Sequence, residues 1–200
     1  IPTILSRCQI FDFKRIQPSD IVLQLDKICK EEHREAEPEA LHQIAVKADG
    51  GMRDALSIFD KVAGASGDTI TYKDVISNLN ILDYEYYFRM VDAFLKVDLP
   101  SVLNIIDEVV RNGFDTESFV QGLAEHFREL LVAKDVNTIG LMEVSEAVKQ
   151  RYFNQASLAE EGFVLTALQI LNTCDLTLGR AANKRLHTEI ALSKLCYAKQ

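Results

Sequence analysis

At 200 residues, with 48% hydrophobic and 26% charged side chains and a mean hydropathy of -0.01, the chain can bury one or two cores, which excludes a disordered segment. A formal charge of -8 and a pI near 5.0 exclude a general nucleic-acid coat, which needs clustered Lys and Arg. No apolar run reaches the roughly 20 residues of a membrane-spanning helix, and no zinc-type spacing links Cys8, Cys29, Cys174 and Cys196, which read as idle thiols in a reducing compartment.

In chain order, the first signal is "QIFDFKRI", where Ile10, Phe11, Phe13 and Ile16 alternate with polar residues as in a short strand. Strand signals then stop. "QPSDIVLQLDKICKEEH" predicts a helix capped by Ser19 or Asp20, with Ile21, Val22, Leu25, Ile28 and Cys29 as its apolar stripe. "EPEALHQIAVKADGG" predicts a second, with Pro38 in its first turn, a stripe of Leu41, Ile44, Ala45 and Ala48, and Gly50-Gly51 as its stop. A third follows in "GGMRDALSIFDK", with Ala55, Leu56, Phe59 and Val62 facing inward and "GASGD" closing it. Each stripe needs another to cover it, so the three predict a small bundle.

Beyond that bundle, Thr71 and Asp74 have capping-box spacing, and Asp83 opens a helix whose face is Tyr87, Phe88, Val91, Phe94 and Leu95. Pro100-Ser101 starts a helix that stops at Asn112-Gly113, and Asp115 or Thr116 starts the next. The remaining text predicts helices from Leu141 to Tyr152, Ser157 to Gly179 and Ala182 to Ala198. The four prolines and nine glycines fall nearly all at joints, so the fold class is all-α.

No hydrolase or transferase constellation stands out. His33, His42, His126 and His187 are scattered, and neither a HExxH pair, a nucleophile elbow nor a GxxxxGK[ST] loop occurs. Tyr84, Tyr86, Tyr87 and Phe88 at helical spacing read as core before they read as a base-stacking platform. From Arg180 to Gln200, five Lys/Arg face the single acid Glu189, and a solvated helix face accounts for them.

Two arginines raise a question. A cation in the first turn of a helix meets a positive dipole end, so Arg53 is disfavoured there unless an anion arrives. Gly50-Gly51 before it would let a ligand approach the backbone, the free N–H groups suit phosphate, and the guanidinium fork matches its oxygens. The simpler account is a weak surface pair with Asp54 or a nearby Glu. Arg7, in "ILSRCQIF", stands where a helical turn hands over to a strand, a place from which a side chain can reach across an interface; its simpler account is an ordinary exposed arginine.

"TILSRCQIFDF", followed about 40 residues later by "GGMRDALSIFDK", resembles the second half of the AAA+ module of clamp-loader ATPases of the bacterial DNA polymerase III gamma/tau type. Ser6-Arg7-Cys8 resembles the SRC motif of that family, Gly51-Met52-Arg53-Asp54-Ala55-Leu56-Ser57 its sensor 2 motif, and Asn183 to Leu195 the last helix of its collar. Between about Ile81 and Gly179 the likeness rests on helical character alone. The resemblance implies that residues 1–16 are the tail of a nucleotide-binding domain, 17–67 a three-helix lid and 68–200 a helical collar for oligomerisation. It also implies ATP and Mg²⁺ in the full-length assembly and none bound by this stretch alone, which carries neither the phosphate loop nor the acidic Mg²⁺ motif and is expected to be inactive by itself.

By the same resemblance, Arg53, with Gly51 and Met52 beside it, contacts phosphate of the ATP in its own subunit. Arg7 acts as an arginine finger in the neighbouring subunit's site. The implied partners are gamma/tau copies, the delta and delta-prime subunits, and, through the assembled loader, the sliding clamp and primer-template DNA in a bacterial cytoplasm, with no membrane. The opening at Ile1, in mid-domain text, is expected to mark a piece of a longer protein. Against this stand a helical scaffold without nucleotide chemistry, and a repair or recombination AAA+ ATPase with a similar lid. A helix-turn-helix DNA binder suits neither the charge nor the lack of a basic recognition helix. The order and separation of "SRCQIFDF" and "MRDALS" favour the clamp-loader reading.

Overall fold

The computed structural model describes residues 14–79, 81–135, 137–142 and 144–198, and among them ten helices and one two-residue strand pair. The predicted strand over Ile10, Phe11 and Phe13 lies outside the described residues, and Lys14 to Gln17 carry no regular structure. The chain divides into two compact units, Ile1–Asn78 and Leu79–Gln200.

In the first unit, α1 (Pro18–Glu31), α2 (Pro38–Lys47) and α3 (Met52–Ala65) pack pairwise around Ile21, Leu25, Ile44, Phe59 and Val62, all essentially buried. The N-cap of α1 is Gln17 rather than Ser19 or Asp20, because Pro18 occupies N1, where its fixed φ and missing N–H suit the helix start. The predicted stripe of α2 is buried throughout, whereas Leu56 of α3 is only half-buried. Two connections join in a parallel ladder that periodicity does not announce: β1 (Glu35–Ala36) pairs with β2 (Thr69–Ile70) in the register Glu35–Thr69 and Ala36–Ile70. Ile70 plugs the core beneath it, and Arg34 donates from Nη1 to the Ala63 carbonyl at 2.8 Å, tying down the end of α3. The unit ends with α4 (Tyr72–Leu79), opened by the expected capping box: Thr71 N–H donates to Asp74 Oδ2 at 3.0 Å and Asp74 N–H to Thr71 Oγ1 at 3.2 Å.

The second unit is built from α5 (Tyr84–Leu95), α6 (Leu99–Arg111), α7 (Thr116–Val132), α8 (Glu146–Leu158), α9 (Glu161–Leu178) and α10 (Lys184–Tyr197), with a 3₁₀ turn at Ile139–Leu141. Asp83, Asp98 and Asp115 cap the first three, each accepting a backbone N–H through its carboxylate. α7 is the axial element, packed against α5, α6, α8, α9 and α10. The close crossing of α5 on α7 depends on Gly122, since a Cβ there would stand 2.1 Å from the Tyr87 hydroxyl.

The predicted helix boundaries on either side of α8 shift. The text read as one helix from Leu141 to Tyr152 is a 3₁₀ turn followed by α8, which runs on to Leu158, and α9 begins at Glu161 rather than Ser157. The reason is local: α8 is polar on most of its faces, burying only Tyr152, Gln155 and Ala156, so it lacks the stripe that reveals an end.

Candidate functional site

The site the sequence singles out sits at the turn between α2 and α3. Asp49 and Gly50 take positive φ, 48° and 77°, which reverses the chain after α2. Gly51 is the N-cap of α3 and has no side chain to cap with; its carbonyl accepts the first intrahelical bond, from Ala55 N–H at 2.9 Å. The N–H groups of Met52, Arg53 and Asp54 therefore precede any intrahelical acceptor and face the helix's positive end.

Arg53 occupies the second position of that first turn and is exposed. Among the described residues its side chain makes no hydrogen bond or ion pair, so the surface pair weighed from composition does not form. Only its carbonyl is engaged, by Ser57 Oγ at 2.9 Å. Asp54 instead folds back along the helix start: a Cβ built on Gly51 would meet Asp54 Oδ2 at 2.7 Å. The carboxylate answers part of the positive field, and the guanidinium beside it has no counter-charge among the described residues. That combination can take an oxyanion such as a phosphate.

The glycine pair works differently from the simple ligand-approach expectation. What comes close to Gly50 is Arg15, whose Cβ would lie 2.6 Å from an added Cβ, and Ile16 N–H donates to the Gly50 carbonyl at 3.2 Å. Arg15 also pairs with Asp49. Sequence reasoning passed over Arg15 because a contact across 35 positions leaves no periodic trace. Ser6, Arg7 and Cys8 lie outside the described residues.

The histidines do not assemble a second site, and among the described residues no group of His, Cys, Asp and Glu is placed to hold a metal ion. His126 is 1% exposed on α7, its Nε2 2.8 Å from Gln155 Oε1 of α8, with Phe88 and Tyr152 packed on its ring. Gln155 donates through Nε2 to the Phe88 carbonyl at 3.0 Å and to Asp92 Oδ1 at 2.7 Å, so α5, α7 and α8 meet in one buried polar cluster. Tyr87 and Phe88 are core residues here, not a stacking platform. His187 lies at the surface, 2.8 Å through Nε2 from Thr177 Oγ1.

At the end of the chain, α10 buries Thr188, Ala191, Leu192, Leu195 and Cys196 and turns Leu186, Ile190 and Tyr197 outward, about half-exposed and within one narrow arc of the helix. Its basic residues are largely matched: Lys184 reaches Glu117 at 3.0 Å, and Arg185 bridges Glu189 and Asp107 at 2.8 and 2.9 Å. This is the solvated face that the charge count suggested. Cys29, Cys174 and Cys196 are buried and form no disulfide among the described residues, and burial raises their pKa values.

Comparison with known proteins bears on the whole chain. The chain is 32% identical over 196 residues to the DNA polymerase III subunit tau of Bacillus subtilis, covering 97% of this chain and 34% of that protein. It is 27% identical over 190 residues to the corresponding subunit of Salmonella typhimurium, covering 95% of this chain and 29% of the relative. The chain thus spans about a third of the length of these relatives. Among solved structures, the Bacillus subtilis DNA clamp loader delta protein superposes with a TM-score of 0.55 at 16% identity, over 92% of this chain and 57% of its own, a likeness of fold. The helical lid and collar implied by the sequence accord with that fold. Residues 20–67 match the DNA polymerase III clamp loader subunit ATPase lid domain, with Arg53 inside it, and 70–200 match domain III of DNA polymerase III subunits gamma and tau. Together these matches account for nearly all of the described helices, and the chain belongs to the DNA polymerase III gamma/tau family of clamp-loader subunits.

Proposed function

We propose that this chain is the lid and collar of an ATPase subunit that uses ATP to place a sliding clamp on primed DNA, and that Arg53 contacts phosphate of the ATP bound by its own subunit. The observation that carries the reading is the exposed Arg53 guanidinium, without an ionic partner among the described residues, on a first turn of α3 that has no side-chain cap. A nucleotide phosphate arriving there supplies the anion that the helix dipole and the cation both call for. Movement of α3 then follows the occupancy of the nucleotide site.

In this reading residues 1–16 are the tail of the nucleotide-binding domain, 17–67 the lid and 68–200 the collar. Arg7, within Ser6-Arg7-Cys8, serves as a trans-acting finger that stabilises charge on the phosphoryl group transferred in the neighbouring subunit. ATP and Mg²⁺ belong to the full-length assembly, whose phosphate loop and Mg²⁺ ligands come from sequence outside this stretch, so the stretch alone does not turn over ATP. The outward apolar line of Leu186, Ile190 and Tyr197 on α10, with Leu165 and Leu176 on the neighbouring α9, supports assembly through the collar with gamma/tau copies, delta and delta prime. The loader so formed meets the clamp and primer-template DNA in the bacterial cytoplasm.

The test uses the full-length protein in a reconstituted loader. Arg53→Ala weakens ATP binding or its coupling to clamp binding, and an unaltered response on both counts removes Arg53 from the site. Arg7→Ala leaves ATP binding nearly intact while clamp- and DNA-stimulated turnover falls, by on the order of 10³–10⁵ where such fingers act. Unchanged turnover refutes the finger.

A further inference from the structure

We infer that Arg15 and Gly50 form a steric seam that sets the position of Arg53, making them positioning residues for the phosphate contact; the inference rests on the reading of Arg53 given above. Segment 14–16 lies directly on the turn that launches α3. A Cβ at Gly50 would stand 2.6 Å from Arg15 Cβ and 3.2 Å from Arg15 Cα, and Gly50 has φ 77°, so both space and backbone conformation demand glycine. Ile16 N–H donates to the Gly50 carbonyl at 3.2 Å, and Gly51 N–H to the Ala48 carbonyl at 2.9 Å. Two residues separate Gly50 from Arg53: Gly51, the N-cap, and Met52, the first residue of α3.

The Arg15–Asp49 ion pair contributes little to this seam, because its side chains are 74% and 71% exposed. The close approach of the Arg15 Cβ, with its Cα and Cγ, to the Gly50 backbone across a missing side chain carries it. Atoms in van der Waals contact cannot interpenetrate, so a shift of segment 14–16 must pass into the start of α3 and swing the guanidinium. The segment that precedes the lid is thereby geared to the residue proposed to read the nucleotide.

A size-swap cycle in the full-length protein, read by equilibrium binding of ATP, tests the seam. Gly50→Ala introduces the clash and Arg15→Gly opens a gap; each lowers ATP affinity by on the order of five-fold or more, the low end of coupling between sites. The double variant, in which the new methyl occupies the space that the lost Cβ leaves, returns toward wild type. In an Arg53→Ala background neither change has a further effect. Losses that add in the double variant, or that persist without Arg53, overturn the seam while leaving the role of Arg53 intact. Should Gly50→Ala not fold, Arg15→Gly with and without Arg53 gives the same decision. An Arg53→Ala protein that binds ATP normally overturns the seam, and one that also couples ATP to clamp binding normally refutes the functional reading with it.

Discussion

Replacing His126 with glutamine should flatten the acid limb of this chain's stability curve. Gln155 spends its amide nitrogen on Phe88 and Asp92, so its oxygen faces His126, and Nε2 of the imidazole must carry the proton that donates to it. Nδ1 is buried without a partner among the described residues, and a second proton there would add an unsolvated charge. Burial pushes the His126 pKa down from 6.5 to about 4; the nearby Arg151 guanidinium adds to the shift and the Gln155 hydrogen bond opposes it. The folded state therefore binds fewer protons than the unfolded state across that interval. The stabilisation is complete above pH 6.5 and is lost as pH falls toward about 4. At about 1.36 kcal/mol per unit the loss comes to about 3 kcal/mol.

The assay is urea unfolding followed by far-UV circular dichroism at several values between pH 7 and pH 4. Wild type should lose stability over this range faster than His126→Gln, with the gap between them narrowing by about 3 kcal/mol. The carboxylates of Asp74, Asp98 and Glu108, all held low chiefly by hydrogen bonds, titrate alike in both proteins and cancel in the comparison. Parallel stability curves would refute the neutral, desolvated imidazole.

Other substitutions test packing with opposite signs. Gly122→Ala forces a methyl against the buried Tyr87 ring and should destabilise the second unit by about 1–3 kcal/mol, read as a lower urea midpoint. Gly64→Ala in α3 meets nothing within 4 Å and should stabilise the first unit by about 0.5–1 kcal/mol through helix propensity; a loss of stability there would count against the described environment of α3. Cys29, Cys174 and Cys196, buried with raised pKa values, should resist a thiol reagent at neutral pH in the native chain and react on unfolding. Rapid native labelling at any of the three would contradict their burial.

Helices with a clean stripe or a chemical terminus were legible from the residues alone: Pro38 starting α2, the Thr71–Asp74 box, Asp83 and Asp115 as caps, and the Asn112-Gly113 stop. These signals act over three or four positions, within the reach of hydrogen bonds along one strand of text. Arg53 was legible for the same reason, since a cation in a first turn is a local anomaly. The β1–β2 ladder and the Gln155–His126 cluster were not, because each joins residues 29 or more positions apart, and the ends of α8 were not, because a helix polar on most of its faces has no stripe to mark them. Tertiary structure alone decided that Gly50 serves the approach of Arg15, that Arg53 has no acidic partner among the described residues, and that a polar glutamine belongs in the core. Side-chain pattern records what a segment must bury, whereas the identity of the neighbour that covers it is set only when the helices pack.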